Sequence, residues 1–178
     1  MPRVHRPGPT VAFGRLDRLR PGFADAKRAA GRHGFAVLER EPGGHAAAYH
    51  AGSLVIEWEG EGGIDGITRR FETAANGIAR ALRELGVDAR VGPVPGEWCP
   101  GSYTVNLGGR AKLAGLAQRV RGRRFELGAS LVAEDPEPVR AVLVDVYAAL
   151  ELAFDPATLA VPGPPLDAIE AALLHTVW

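Results

Sequence analysis

Between Ile64 and Leu85 the apolar side chains fall at Ile64, Ile67, Phe71, Ala74, Ile78, Ala81 or Leu82, and Leu85. Steps of three and four predict an amphipathic helix, the longest in the chain, with Gly86 as its C-cap. The same period predicts a helix from Asp135-Pro136 to about Leu150, with Val139, Val142, Leu143, Val146 and Leu150 facing inward. Shorter helices are predicted from Phe23 to about Arg32, closed by His33-Gly34, and from Leu166 onward after the Pro-rich link Val161–Pro165. Elsewhere the pattern is that of strands. Thr10–Phe13 and Ser53–Trp58 are short β candidates, and Phe35–Leu38 is predicted to be a buried strand. Val87–Val91, Tyr103–Leu107, Arg110–Val120 and Phe125–Ala133 follow, the last three joined by tight turns at Gly108-Gly109 and Arg121–Arg124. Antiparallel hairpins interleaved with packed helices predict an α+β fold, in one domain spanning residues 1–178.

Charge and composition narrow the function classes. The chain has 178 residues, with Lys+Arg 21 balancing Asp+Glu 21. A nucleic acid or an anionic membrane is therefore not the expected partner, since either calls for a basic excess. The single cysteine cannot form an internal disulfide. No apolar run approaches the roughly 20 residues of a membrane span, and the chain reads as cytoplasmic. Nineteen of the basic residues are Arg and only Lys27 and Lys112 are Lys. In so Arg-biased a chain, a lysine can mark a position that needs a compact amine.

Three places could carry chemistry. Arg40 to His50 holds Gly43-Gly44, whose backbone can approach a ligand closely, and three alanines that leave room for something slender. In Arg110–Arg119, strand alternation puts Lys112, Ala114, Leu116 and Gln118 on one face and Leu113, Gly115 and Ala117 on the other. An inward amine there could neutralise a developing oxyanion, so substituting Lys112 is expected to cost rate more than fold. The alternative is an outward lysine on an exposed strand. Cys99 lies in a Pro/Gly loop, Glu97-Trp98-Cys99-Pro100-Gly101, where a thiolate could be exposed as an acyl acceptor; a small buried hydrophobe is the competing reading. Glu97 would oppose thiolate formation if its carboxylate points inward. The five His are scattered, none at ligand spacing from Cys99, and no metal site is expected.

Taken in order, these segments resemble the lipoate–protein ligase and octanoyltransferase family. The likeness is carried by Pro9–Arg15, by Arg40–Gly52, and by Cys99-Pro100-Gly101 through Lys112-Leu113-Ala114-Gly115-Leu116-Ala117-Gln118, which is similar to the family's Lys-x-x-Gly-x-Ala-Gln strand. Phe154–Thr158 also fits. The resemblance implies a biotin/lipoate ligase-like fold, a mixed and largely antiparallel sheet packed with helices. It also implies transfer of a lipoyl or octanoyl group to a lysine of a lipoyl carrier domain. Lys112 would contact the acyl carbonyl and Cys99 would be the nucleophile. Arg40, Gly43, Gly44, His50, Gly115, Ala117 and Gln118 would bind substrate. No tightly bound cofactor is expected; lipoate or octanoate would be substrate, with ATP and Mg²⁺ required only if the chain is an ATP-dependent ligase. A non-catalytic acyl- or carrier-binding member is the reading from another class. Against the family pattern, Arg40-Glu41 stands for paired arginines, His45 for a third loop glycine and Leu127-Gly128 for His-Gly. A leading helix and strand usual before Val4–Pro7 are not found.

Overall fold

The computed structural model describes residues 2–176 and 178. Among them the strands form two sheets. The larger has six antiparallel strands in the order β1 (Arg3–His5), β5 (Ser53–Glu61), β9 (Arg124–Val132), β8 (Ala111–Arg121), β7 (Val105–Leu107), β6 (Ala89–Val91). The smaller is β3 (Ala36–Glu39), β2 (Thr10–Phe13), β4 (Ala47–Tyr49), with β2 parallel to β3 and antiparallel to β4. The β2–β3 crossover carries α1 (Arg15–Arg18) and α2 (Phe23–Arg32). The α+β class and the antiparallel character agree with the sequence pattern.

The helices divide between the sheets. α3 (Ile67–Glu84) and α5 (Leu166–His175) pack on the large sheet, whose Leu54, Ile56, Leu113, Ala114 and Leu131 meet Ile78, Leu82 and Ile169 in one core. α2 and α4 (Pro136–Ala149) pack together against the small sheet, in a second core holding Val11, Phe13, Trp98, Val142, Leu143 and Val146. The helical periodicity is realised at Ala74, Ile78, Ala81 and Leu82, and at all five expected positions of α4. Ile64 departs from it. It sits in a 3₁₀ turn ahead of α3 and is 76% exposed.

Other expectations shift. The Phe35–Leu38 segment buries only Phe35; β3 runs exposed along the edge of the small sheet, pairing with β2 alone. An apolar run cannot by itself distinguish a central strand from an edge. β1, α1 and β4 have no strong pattern. β4 is formed of Ala47, Ala48 and Tyr49, two of them weak strand formers placed by pairing with β2. In β8 the alternation is broken, because Asn106 pairs with Lys112 and Val105 with Ala114, leaving Leu113 as an extra residue. This bulge puts Leu113 and Ala114 both into the α3 core and turns Lys112 to the other face, where a Cβ on Gly115 would stand 2.8 Å from Lys112 Cε. Lys112 thus shares its face with Gly115 and Ala117, not with Ala114, Leu116 and Gln118. The Lys112 carbonyl is free to accept the Ala160 N–H at 3.3 Å, which brings the Leu159 segment alongside.

Candidate active site

The two sheets face each other across a cavity of about 610 Å³, a size ordinary for small-molecule sites. Ala12, Leu38, Ala47 and Tyr49 of the small sheet form one wall. The large sheet forms the floor, and its register orders the floor into rows. Val55, Ser130 and Gly115 lie abreast, then Glu57, Gly128 and Ala117, then Glu59, Glu126 and Arg119. Successive rows are two residues apart, so Gly115 to Arg119 spans about 13 Å. The row nearest Trp98 and Cys99 is uncharged, the next holds Glu57 beside two small residues, and the last is charged throughout, with Arg119 outside the cavity lining. Burial pushes the Tyr49 phenol above its ordinary range, and the nearby Arg40 guanidinium partly opposes this.

Arg40, Pro42, Trp98 and Cys99 close the other end. Cys99 is half-buried with φ +42, an uncommon conformation for a non-glycine residue, and several contacts fix it there. Its N–H donates to the Tyr147 hydroxyl at 2.6 Å, and that hydroxyl donates to Ala46 O at 3.0 Å. Its Sγ accepts the His45 N–H at 3.3 Å and lies 3.9 Å from Arg40 Nη2. Tyr147 is fully enclosed, and burial holds its phenol well above the usual range. The glycine loop is tied by Arg40, which donates to Gly43 O at 2.6 Å and His45 O at 2.8 Å. Gly44, at φ +92, lies so close that a Cβ there would be 2.8 Å from Cys99 Sγ. Gly44 therefore serves the approach of loop to sulfur, while a Cβ on Gly43 would stand in open space.

Lys112 lies beneath this end and not among the residues lining the cavity. Its Nζ donates to Trp98 O at 2.9 Å and Cys99 O at 2.8 Å, pairs with Glu97 at 2.8 Å, and sits 4.3 Å from the centre of the Trp98 ring. All three ammonium protons are thereby engaged. Glu97 also accepts from Val94 N and Thr104 Oγ1, so its carboxylate is spent on Lys112 and the loop. Two donors on cavity residues, Arg40 Nε and Trp98 Nε1, are buried without a protein acceptor.

Of the residues singled out in the sequence, Arg40, Cys99, Gly115 and Ala117 line the cavity, with Gly43 and Gly44 in the loop behind Cys99. His50 and Gln118 are placed elsewhere. His50 bonds Asp135 O at 2.8 Å and accepts Gly52 N at 2.8 Å, pinning the β4–β5 turn to the start of α4. Gln118 donates to Ile67 O at 3.2 Å and accepts from Arg70 Nε, docking α3 on the sheet. Sequence reasoning did not single out Asp17 or Tyr147. Asp17 is fully buried in α1, where its carboxylate accepts Gly14 N at 2.8 Å and bonds His45 Nδ1 at 2.8 Å. Tyr147 follows Leu143 by four residues on the apolar face of α4, and a hydroxyl on such a face signals a buried partner. Asp17 gave no comparable signal. Among the described residues no group of three or more His, Cys, Asp or Glu could hold a metal ion, and no helix is long and apolar enough to cross a membrane.

Residues 3–149 match the family model described as the lipoyl protein ligase A/B catalytic domain. An octanoyl-[GcvH]:protein N-octanoyltransferase of Bacillus velezensis is 34% identical over 114 residues, 62% of this chain and 39% of that protein. The enzyme of the same name from Exiguobacterium sibiricum is 36% identical over 116 residues, 64% of this chain and 42% of that protein. The chain thus matches about two fifths of the length of these curated relatives. Among solved structures, a lipoate-protein ligase A bound with ATP superposes with a TM-score of 0.74 at 21% identity, covering 98% of this chain and 69% of that one. Protein Ta0514 of T. acidophilum gives 0.72 at 22% identity, with the same coverage. The fold is that of the lipoate–protein ligases.

Proposed function

The chain belongs to the family of lipoyl protein ligase A/B catalytic domains, and from that premise we propose that it forms a single catalytic domain moving an octanoyl or lipoyl group between carrier-protein lysines through a thioester on Cys99. The observation that carries this reading is the placement of Cys99 Sγ at the end of the slot, between the His45 N–H and the Arg40 guanidinium. A thiolate is stabilised by just such donors and positive charge. The relatives are named for taking octanoyl from GcvH, which suggests an octanoylated carrier as donor and the lysine of a second lipoyl domain as acceptor, in the cytoplasm.

In this scheme the Cys99 thiolate attacks the donor's acyl carbonyl, the bond to the donor nitrogen breaks, and the leaving amine takes a proton. The acceptor amine then attacks the thioester, the carbon–sulfur bond breaks with its electron pair returning to Cys99, and the new amide forms as the nitrogen loses a proton. The acyl chain lies along the floor over Gly115, Ala117 and Gly128. Arg40 Nε and Trp98 Nε1 supply the unused donors for the acyl oxygen. Lys112 acts from behind, its ammonium holding the Trp98 and Cys99 carbonyls.

Incubation with octanoylated carrier and a second lipoyl domain, followed by intact mass, tests the reading. An octanoyl adduct on the Cys99 peptide, labile to hydroxylamine and lost in Cys99→Ala with transfer abolished, supports it. Full transfer by Cys99→Ala refutes it. Adducts formed from free octanoate or lipoate only with ATP and Mg²⁺ would assign the chain to the ligase reaction instead.

A further inference from the structure

A lysine acceptor is almost wholly protonated at neutral pH, with about one amine in 10³ carrying a free electron pair. Transfer to it therefore needs a base near Cys99. Most charged groups around the sulfur cannot serve. Lys112 has its three protons committed and no free pair. Arg40 stays cationic. Tyr147 is sealed, its hydroxyl donating to Ala46 O, and burial opposes its ionisation.

His45 remains. Its N–H touches Cys99 Sγ at 3.3 Å, and its ring Nδ1 is held at 2.8 Å by the fully buried Asp17 carboxylate. Asp17 in turn accepts Gly14 N, so it cannot turn away without orphaning that donor. A carboxylate can only accept, which fixes the proton of neutral His45 on Nδ1 and leaves the Nε2 electron pair free. The side chain is 21% exposed and stands just outside the cavity lining, next to the loop backbone that contacts Cys99. Carboxylate, imidazole and thiol are the parts of a proton relay, joined here through the loop backbone instead of a ring-to-sulfur bond.

We propose that His45, oriented by Asp17, is the proton shuttle of acyl transfer. This rests on the Cys99 thioester reading. As the acceptor amine forms its bond to the thioester carbon, Nε2 takes one proton from the nitrogen. The carbon–sulfur bond breaks and its pair goes to Cys99, whose thiolate keeps the His45 N–H and Arg40 donors. Loading runs in reverse: the imidazolium returns the proton to the amine that leaves the donor. Charges and protons balance without a co-reactant. The third loop residue of the family pattern, a glycine elsewhere, then carries chemistry in this chain.

Separating the half-reactions tests it. Cys99 is loaded from a small octanoyl thioester, whose thiol leaves without an acid, and the loaded enzyme is mixed with a lipoyl domain. His45→Gln keeps the backbone N–H. It should load with little loss yet transfer about 10²–10³-fold more slowly at pH 7, within the usual range for a positioned base. Added imidazole should restore part of the rate to His45→Ala. Asp17→Asn should match His45→Gln, because the amide N–H donates to Nδ1 and moves the ring proton to Nε2. Wild-type transfer rates in loaded His45→Gln would overturn the shuttle while leaving the thioester intact. Failure of wild-type Cys99 to load would overturn both.

Discussion

Lys112→Met removes the ammonium and keeps much of the stem, which makes it a direct probe of the pair beneath Cys99. The two side chains are 1% and 0% exposed and meet at 2.8 Å. Their gross attraction is about 6 kcal/mol at an effective dielectric of 20. Desolvating both ions offsets much of that, so the intact pair adds little net stability. Breaking it is another matter. Glu97 would be left charged and buried, and the Trp98 and Cys99 carbonyls would lose the Nζ donor. Removing one partner of a buried pair costs about 3–5 kcal/mol, a large part of a domain's stability. Urea unfolding of wild type, Lys112→Met, Glu97→Gln and the double variant measures it. The double variant should be more stable than the sum of the single losses by at least about 2 kcal/mol. Single effects that simply add, or Lys112→Met within about 0.5 kcal/mol of wild type, would refute the structural role. The sequence suggested the reverse balance, rate lost more than fold, because strand alternation concealed what Lys112 touches.

Tyr147→Phe should cost about 1–3 kcal/mol in unfolding free energy by leaving the Cys99 N–H without its acceptor, and should change the rate of Cys99 alkylation by iodoacetamide. The same phenol gives a pH dependence. Burial raises its folded pKa above the ordinary 10.0, so the unfolded chain releases that proton first. Stability is full below pH 10 and falls as pH rises above it, more steeply in wild type than in Tyr147→Phe. Gly44→Ala places a methyl 2.8 Å from Cys99 Sγ at φ +92, and acyl loading followed by mass spectrometry should fall at least about 10-fold, since small displacements of reacting groups cost up to about 10²-fold. Gln118→Ala and His50→Ala should each lower stability by about 1 kcal/mol and leave acyl loading within twofold; a collapse of loading in either would return it to the substrate site.

Local pattern made the helices and hairpins legible. Ile78 and Leu82 in α3, Val139 through Leu150 in α4, and the Gly108-Gly109 turn follow from period and turn chemistry, which neighbours in sequence decide. Cys99 stood out as the single cysteine, set in a Pro/Gly loop, and Arg40 through the likeness of its segment to the family. What stayed hidden depends on contacts across the chain. The extra residue at Leu113 is invisible until β7 and β8 are paired, and with it the direction of Lys112. The Asp17–His45 pair joins residues 28 apart, and the Tyr147–Cys99 bond residues 48 apart. His50 and Gln118 lie in the matching motifs, yet their side chains are occupied in fastening turn to helix and helix to sheet.

The slot lies where the two sheets meet, and several of the floor positions that line it belong to neither core. Val55, Ala117, Gly128 and Ser130 face it, whereas the packing against α3 and α5 rests on Leu54, Ile56 and Leu131, and the packing around α4 on Val11, Phe13 and Val142. Along each strand, alternate positions therefore answer to different selective pressures. A lineage can change the length or girth of the slot through single steps at the facing positions. The packing of the two cores is not disturbed, so selectivity and foldability are inherited on separate letters of the same strands.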